Sequence, residues 1–327
     1  MRCSKVRACV ALVIFSAFVV AQFFLLRLRK NRESTGWSLW PEENPLESWI
    51  SGIKGKDEKI VFSRPYRIQS LKQGCGRSEK SWDSLSVAEQ RILAKHVIVN
   101  DEHRFLFCSV PKVACSNWKR VFMVLEGAAT DSNTIRKVNH LAFTYLADLP
   151  PLAIKQRLKE YYKFMFVREP LERLASAYKD KFVLNNTSFH KSYGRKIIKK
   201  IRKNAGINPK GNDVTLTEFL QYITESRFED MNEHWMPYHV LCQPCAVSYD
   251  FVGSFENLEA DATHVLKDLK INEQVSFPKQ QKYYKAGGSG FVGDKPKYTD
   301  VPAKVLENVL HKYATDYKMF SYPKPSV

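Results

Sequence analysis

The sequence predicts an α/β domain in which helices flank a mainly parallel sheet, and three observations lead to this prediction. Segments 105–110, 164–167 and 249–255 are short and rich in apolar residues, as expected of strands covered on both faces. Each is followed by a turn and then by a stretch with helix signals, which is the order of elements in a parallel sheet. The chain has 327 residues, enough for one substantial core.

Start and stop signals place the helices. Four are predicted, over residues 86–96, 117–126, 170–182 and 258–269. Ser86 and Glu89 form a capping box at the start of the first helix, and Gly127 ends the second. Pro170 lies in the first turn of the third, where its missing N–H costs nothing. Ligands of such sheets bind beyond the carboxyl ends of the strands, so the loops after the first two strands form the candidate site.

Residues 8–26 are predicted to be a transmembrane signal anchor. Gln22 is the one strongly polar residue in this run. As a helix the run spans roughly 28 Å, about the thickness of a bilayer core. It meets four basic residues within 27–32 instead of a small-residue cleavage site, so we expect it to stay uncleaved.

Charge alone does not orient this anchor, because basic residues flank it on both sides. The amino-terminal tail is too short for a domain, so the folded part lies beyond the span. The overlapping sequons at Asn185 and Asn186 are glycosylation sites only if that part is lumenal. The predicted organisation is a cytoplasmic tail over 1–7, the anchor over 8–26, a stem over 27–83 and a lumenal domain over 84–327.

The net charge of +17 predicts an anionic partner. The first 32 residues hold seven basic and no acidic side chains, and the rest of the chain keeps +10. Nucleic acid, nucleotide phosphates, anionic lipid and acidic glycans all fit such an excess. A lumenal domain excludes nucleic acid and keeps the other three.

Cysteine usage fits an oxidising compartment. Of seven cysteines, Cys3 and Cys9 fall at the membrane and five fall in the predicted lumenal part. Disulfides persist there, and an odd number leaves at least one thiol unpaired within the chain. The five are Cys75, Cys108, Cys115, Cys242 and Cys245.

The pattern H-x4-H-x2-C-x2-C has the spacing of a zinc site. It is formed by His234, His239, Cys242 and Cys245. Spacing patterns of this kind often arise without a metal. A disulfide between Cys242 and Cys245, or from this pair to Cys75, is the favoured alternative. We therefore expect no metal.

Two loops have the chemistry of anion sites. The first consists of Pro111, Lys112, Val113, Ala114, Cys115, Ser116 and Asn117. Free N–H groups at the start of the following helix favour an anion, and Lys112 adds a mobile charge, although the glycines of a Walker A loop are absent. The second consists of Arg168, Glu169, Pro170, Leu171, Glu172, Arg173, Leu174, Ala175 and Ser176. Arg168 can engage a phosphate in a bidentate fork, so the two loops together suit a nucleotide phosphorylated at both ends.

These loops resemble those of a known enzyme family. The stretches PKVACSNWKR and FVREPLERLASAYKDKF are similar to the 5′-phosphosulfate loop and the 3′-phosphate motif of the Golgi carbohydrate sulfotransferases of the HNK-1 sulfotransferase group. Within that group, NEHWMP, LCQPCAV and YDFVGSFENLEADA most resemble the dermatan 4-O-sulfotransferases. One departure is Lys179-Asp180, where relatives commonly have Arg-Asn, and it is expected to add a negative charge on the 3′-phosphate side.

The resemblance implies a P-loop-like sulfotransferase fold in the Golgi membrane, with the catalytic domain in the lumen. It implies 3′-phosphoadenylyl sulfate as the sulfate donor, no metal, and the 4-hydroxyl of N-acetylgalactosamine in dermatan sulfate or chondroitin as the acceptor. Lys112 would neutralise the leaving phosphate, and Arg168 with Ser176 would hold the 3′-phosphate.

A general base is also needed, because a sugar hydroxyl is a poor nucleophile at neutral pH. Histidine suits this role. His140 lies between the two loop motifs and is preferred, with His234 as the second candidate; each could also be a structural histidine. His103 falls at the wrong end of the sheet. His96, in common with His264 and His311, is expected in a helix away from the loops.

The basic stretch 191–203, with three isoleucines at helical spacing, is either a solvated helix face or a track for a polyanionic glycan. Two other functions compete with the sulfotransferase. A non-catalytic glycosaminoglycan-binding membrane protein would explain the basic charge but not the two loops. A lumenal kinase or nucleotidase is disfavoured, since the kinase signatures are absent.

Overall fold

The computed structural model describes residues 64–76, 80–140, 142–202, 208–279 and 298–325. The strands are β1 (Val97–Asn100), β2 (Phe105–Cys108), β3 (Thr144–Tyr145), β4 (Tyr162–Val167) and β5 (Phe251–Ser254). The helices are α1 (Arg64–Cys75), α2 (Val87–His96), α3 (Cys115–Leu125), α4 (Pro151–Glu160), α5 (Pro170–Tyr178), α6 (Thr187–Phe189), α7 (Arg195–Ile201), α8 (Leu216–Glu225), α9 (Tyr238–Leu241), α10 (Pro244–Val247), α11 (Leu258–Asp268), α12 (Ala303–Lys312) and α13 (Ala314–Met319). Two π-helical turns, Lys179–Val183 and His190–Gly194, follow α5 and α6.

The five strands form one mixed sheet in the order β3-β1-β2-β4-β5. β2 pairs parallel with β4, and β4 with β5, whereas β1 is antiparallel to both β2 and β3. The prediction of a mainly parallel sheet is therefore correct for three strands and wrong for β1 and β3. The reason is the short turn between Asn100 and Phe105, which can join only antiparallel neighbours, whereas parallel strands need a longer crossover.

The predicted strands and helices are all present, with ends shifted by a few residues. The capping box at the start of α2 is formed: the Glu89 N–H donates to Ser86 Oγ, and the Ser86 N–H donates to the Glu89 carboxylate. Gly127 ends α3 with a φ of +74°, which a residue with a side chain adopts at a cost. The predicted helix over 170–182 is α-helical as far as Tyr178. It then continues as the π-helical turn Lys179–Val183.

An aromatic core fixes α3 on the sheet. The Trp118 ring lies 4.9 Å from that of Phe164 and 5.8 Å from that of Phe107, centroid to centroid. All three side chains are buried, as are the four residues of each of β1, β2 and β5. Apolar burial on this scale is the main stabilising contribution to such a fold. It also holds the loop between β2 and α3 at the carboxyl edge of the sheet.

Helix α1 lies within the segment predicted as stem, yet it packs on the sheet domain. The Arg67 guanidinium forms a buried ion pair with Asp261 of α11 and donates to the Val252 carbonyl of β5 at 2.8 Å. Leu71 of the same helix is buried in the core. The folded body therefore includes residues that precede position 84.

Two disulfides link distant parts of the chain, Cys75 to Cys245 and Cys108 to Cys242, and Cys115 is a free thiol. The predicted alternative of a bridge to Cys75 is confirmed, and a Cys242–Cys245 bridge is wrong. Because both cysteines of the zinc-like pattern are oxidised, they cannot ligate a metal as thiolates. Within the described residues, no cluster of His, Cys, Asp and Glu suits a metal ion.

No helix among the described residues is long and apolar enough to cross a membrane. The predicted tail, anchor and most of the predicted stem lie outside the described part of the chain.

Candidate active site

A cavity of about 510 Å³ opens at the carboxyl edge of the parallel strands. Six of the seven residues of the first predicted loop line it, all except Val113, whose side chain is buried in the core. Other elements contribute His96, Lys119, His140, Tyr145, Asp180, Lys181, Glu233, His234 and Phe255. The volume is in the usual range for a small-molecule site, and the several lysines in its wall favour an anionic ligand.

The loop between β2 and α3 has an unusual backbone. Lys112 and Ala114 have φ angles of +72° and +68°, in the left-handed region that residues with side chains seldom adopt. Ala114 is the N-cap residue of α3 and has no side-chain cap. The first N–H groups of α3 therefore have no capping side chain, which suits an incoming anion.

Lys112 is held by a carboxylate. Its Nζ lies 2.9 Å from Asp180 Oδ2, and the same oxygen lies 3.1 Å from Lys181 Nζ. Burial lowers the pKa of Lys112, and Asp180 opposes that effect by stabilising the ammonium form. Burial raises the pKa of Asp180, but its two lysine partners outweigh burial and hold it below the usual range.

Asp180 has a partner that the sequence did not predict. The expectation was a negative charge on the 3′-phosphate side, but the π-helical turn after α5 directs this carboxylate to Lys112 of the first loop. A π-turn has one residue more than an α-turn, and such turns often occur at functional sites.

Arg168 follows β4 and is buried, with 2% of its surface exposed. Its guanidinium lies 4.3 Å from the centre of the Phe255 ring, and Phe255 also lines the cavity. Its Nη2 lies 3.3 Å from Glu172, whereas Nε and Nη1 have no hydrogen-bond partner among the described residues. Two buried donors without partners are costly, and an anionic oxygen would satisfy them.

Most of the second predicted loop is structural. The Glu169 carboxylate caps α5 by accepting from the Glu172 N–H at 2.6 Å. The side chains of Leu171, Leu174 and Ala175 are buried, so they could reach a ligand only through their backbone. Ser176 is also buried.

Arg173 is a clamp between two loops. Its guanidinium donates to the carbonyls of Pro111 at 3.1 Å, Met236 at 2.7 Å and Glu233 at 2.8 Å. It also stacks on the Tyr238 ring at 4.6 Å. Arg173 thus ties the first loop to the segment that carries His234.

Three histidines line the cavity: His96, His140 and His234. The expectation that His96 lies away from the loops is wrong. Because β1 runs antiparallel to β2, its first residue pairs with Cys108, the last residue of β2. His96 directly precedes β1, and its carbonyl accepts from the Ser109 N–H at 2.8 Å. His239, in contrast, has its ring bound to buried Asp316 at 2.8 Å and is structural.

Sequence reasoning also missed Lys119, Lys181 and Glu233 as cavity residues. Lys119 follows Ser116 by three positions on α3, so helical periodicity could have indicated that both face one site. Glu233 adjoins His234, the second candidate for the general base. No local signal indicated Lys181, since its position depends on the π-turn.

The two sequons differ in exposure. Asn185 is exposed, whereas Asn186 is half-buried and its side chain accepts from the Phe189 N–H at 3.2 Å as the N-cap of α6. A glycan on Asn186 would compete with that cap.

Known proteins of similar sequence include carbohydrate sulfotransferases. Residues 95–323 match the model of the sulfotransferase family. The chain is 42% identical to carbohydrate sulfotransferase 14 of Homo sapiens, over 90% of this chain and 78% of that protein. It is 45% identical to carbohydrate sulfotransferase 14 of Danio rerio, over 83% and 74%, and 40% identical to carbohydrate sulfotransferase 11 of Mus musculus, over 100% and 96%. No solved structure gives a significant match.

Proposed function

The chain belongs to the sulfotransferase family, and from this premise we propose that it transfers sulfate from 3′-phosphoadenylyl sulfate to the 4-hydroxyl of N-acetylgalactosamine in dermatan sulfate or chondroitin. Its carbohydrate sulfotransferase relatives support a carbohydrate acceptor. The finer assignment rests on the segments NEHWMP, LCQPCAV and YDFVGSFENLEADA.

One observation above all supports the donor: basic side chains come just after the carboxyl ends of two neighbouring parallel strands. Lys112 follows β2 and lines the cavity, and Arg168 follows β4 with two unpartnered guanidinium nitrogens. A donor with a phosphosulfate at one end and a phosphate at the other would satisfy both groups. Lys112 would engage the phosphosulfate and Arg168 the 3′-phosphate.

The chemistry of the step is charge neutralisation and alignment. The acceptor oxygen forms a bond to sulfur while the bond from sulfur to the bridging oxygen breaks, and negative charge grows on the leaving phosphate. Lys112 and Lys181 are the cations that share Asp180 beside this site, so either can neutralise that charge. Positioning supplies much of the remaining acceleration, as it does in phosphoryl transfer.

The acceptor class is supported by charge. Helix α7 buries Ile197 and Ile198 and exposes Lys196, Lys199 and Lys200. The Lys196 ammonium lies 5.2 Å from the Tyr193 ring, and Tyr193 stacks on Phe189 at 5.6 Å. A cationic and aromatic surface of this kind suits a chain of sugars that carries carboxylates.

We place the enzyme in the Golgi membrane as a single-pass type II protein with a lumenal catalytic domain. The apolar run over 8–26 and its basic flanks support the anchor. The two disulfides support an oxidising lumen.

Donor binding is the first test. Adenosine 3′,5′-bisphosphate at about one hundred times its Kd should stabilise the full chain in detergent by about 2.7 kcal/mol, and ATP at the same concentration should stabilise it less. Lys112→Ala should lower kcat by at least tenfold with little change in the Kd for the donor. Arg168→Ala should raise the Kd for the donor itself. Near-normal kinetics in both variants would contradict the site assignment.

The acceptor is tested with labelled donor and a panel of desulfated polymers, followed by disaccharide analysis. The proposal requires label at the 4-position of N-acetylgalactosamine in desulfated dermatan or chondroitin. Label in another glycan would keep the enzyme class and reject the acceptor. The absence of transfer to every polymer, despite donor binding, would favour a glycosaminoglycan-binding protein.

A further inference from the structure

The three cavity histidines differ in which ring nitrogen can accept a proton. A general base must present a nitrogen lone pair to the substrate, and in a neutral imidazole only one nitrogen has it. The hydrogen bond made by the other nitrogen decides which one that is. His96, His140 and His234 each make such a bond through Nδ1.

The His140 ring presents an N–H. Lys119 Nζ lies 3.0 Å from His140 Nδ1 and 3.2 Å from the Tyr145 hydroxyl. An ammonium group can only donate, so Nδ1 is the acceptor and the ring proton is on Nε2. Burial, and then the charges of Lys119 and Lys181, lower the pKa of His140, which keeps the ring neutral. Its free nitrogen is therefore a donor, suited to bind an anionic oxygen.

The His234 ring has the opposite arrangement. Its Nδ1 lies 2.6 Å from Asn232 Oδ1, and the His234 backbone N–H donates to the same oxygen at 3.1 Å, which fixes the orientation of the amide. An amide oxygen can only accept, so Nδ1 carries the proton and Nε2 has the lone pair. No described residue is a hydrogen-bond partner of this Nε2.

A carboxylate beside His234 can stabilise the imidazolium that a base becomes. Glu233 Oε1 lies 3.3 Å from Nδ1. Burial raises the pKa of Glu233, but its hydrogen bond with the His234 ring opposes burial and the pKa falls to about 2. Burial lowers the pKa of His234, and the charges of Lys181 and Lys112 act in the same direction. His234 lines the same cavity as Lys112 and Lys181.

His96 is the weaker candidate of the two with an available Nε2. Its Nδ1 donates to the Ile92 carbonyl at 2.7 Å, so its Nε2 also has a lone pair. The neighbouring acceptor is a neutral carbonyl, however, whereas His234 contacts a carboxylate. Burial lowers the pKa of His96, and the charges of Lys119 and Lys95 act in the same direction, whereas the Ile92 carbonyl and Glu233 oppose them.

We infer that His234, and not His140, is the general base of the sulfuryl transfer, with Asn232 and Glu233 as positioning residues. This inference rests on the proposed function. The acceptor hydroxyl proton passes to His234 Nε2 while the hydroxyl oxygen bonds to sulfur. The bond between sulfur and the bridging oxygen breaks, and its electron pair leaves on the 5′-phosphate of adenosine 3′,5′-bisphosphate. The logic is that of a catalytic triad, in which an acceptor at Nδ1 fixes the tautomer.

The first test compares His234→Gln with His140→Gln in the full chain, using 3′-phosphoadenylyl sulfate and desulfated chondroitin. We expect His234→Gln to lower kcat by 10²–10⁴-fold, with unchanged affinity for adenosine 3′,5′-bisphosphate, and to abolish the acidic limb of the pH–kcat profile. His140→Gln should keep that limb. Loss of the limb in His140→Gln or His96→Gln, with the limb kept in His234→Gln, overturns the inference.

Glu233→Gln tests positioning. Without the carboxylate the imidazolium is less stable, so the acidic limb should move to lower pH while donor affinity stays the same. Glu229→Gln, an exposed acid in the neighbouring turn, is the matched control and should leave the limb in place. If Glu233→Gln does not move the acidic limb, Glu233 has a structural role and no longer supports the inference that His234 is the base.

A readout independent of turnover separates this inference from the proposed function. Nitrogen NMR of the full chain labelled in histidine should show the Nδ1–H tautomer for His234 and the Nε2–H tautomer for His140. The opposite tautomers overturn the inference even if sulfation is observed. If they are as expected but no polymer is sulfated, the proposed acceptor fails while the geometry stands.

Discussion

Replacing Arg173 with methionine separates two roles for this residue. The second loop motif predicts that Arg173 contacts the donor, whereas the structure buries its guanidinium against the carbonyls of Pro111, Glu233 and Met236. Methionine has a similar length and is apolar, so the change removes the donors without leaving a large cavity. The residue is 1% exposed, so water cannot replace the lost hydrogen bonds readily.

The expected loss of stability follows from those three carbonyls. A buried polar group left without a partner costs about 1–3 kcal/mol, and carbonyls that can relax are at the lower end. We expect Arg173→Met to destabilise the fold by about 3–5 kcal/mol. For a domain of this size, roughly 2–4 °C per kcal/mol gives a fall in Tm of about 6–20 °C. The loss of stability in Arg173→Lys should lie between zero and the loss in Arg173→Met, because one ammonium group cannot span the three carbonyls.

The assay is thermal melting of the full chain, with donor affinity measured well below the Tm. The matched control is Arg227→Met, which removes an arginine that is 76% exposed and pairs with exposed acids. Surface pairs contribute at most about 1 kcal/mol, so its Tm should change by no more than about 4 °C. An Arg173→Met variant that melts within 2 °C of the wild type (roughly 1 kcal/mol or less) but loses donor affinity would refute the clamp and restore the predicted donor contact.

Two further predictions concern the acceptor surface and the contact of α1 with the sheet domain. Replacing Lys196, Lys199 and Lys200 together by glutamine should raise the acceptor KM several-fold at low salt and leave the donor KM unchanged. The difference should shrink at high salt because exposed charges are screened, and an unchanged acceptor KM would make this helix face merely solvated. Arg67→Met should destabilise the fold by about 3–5 kcal/mol in chemical denaturation, since it leaves Asp261 charged and buried. Adding Asp261→Asn should recover part of that loss; no recovery would show that packing of the arginine, not its charge, matters.

The sequence predicted local structure well because local signals depend on near neighbours in the chain. The capping box at Ser86, the glycine after α3 and the three strand segments each depend on a few adjacent residues. The first loop is of the same kind: a buried strand, a turn and a helix amino terminus place Lys112 at the edge of the sheet. The overlap of these loops with known motifs was enough to identify the family.

The partners of the charged groups were decided only by the tertiary structure. His96 reaches the cavity because β1 is antiparallel to β2, and nothing near His96 in the sequence indicates that pairing. Asp180 meets Lys112 across 68 positions, through a π-turn that has no sequence signal of its own. Arg173, interpreted from the sequence as a donor contact, is instead held by backbone carbonyls 60 or more positions away. Composition and spacing determine which groups are available, but the burial that gives a charge its partner, and a histidine its tautomer, depends on elements packed together from distant parts of the chain.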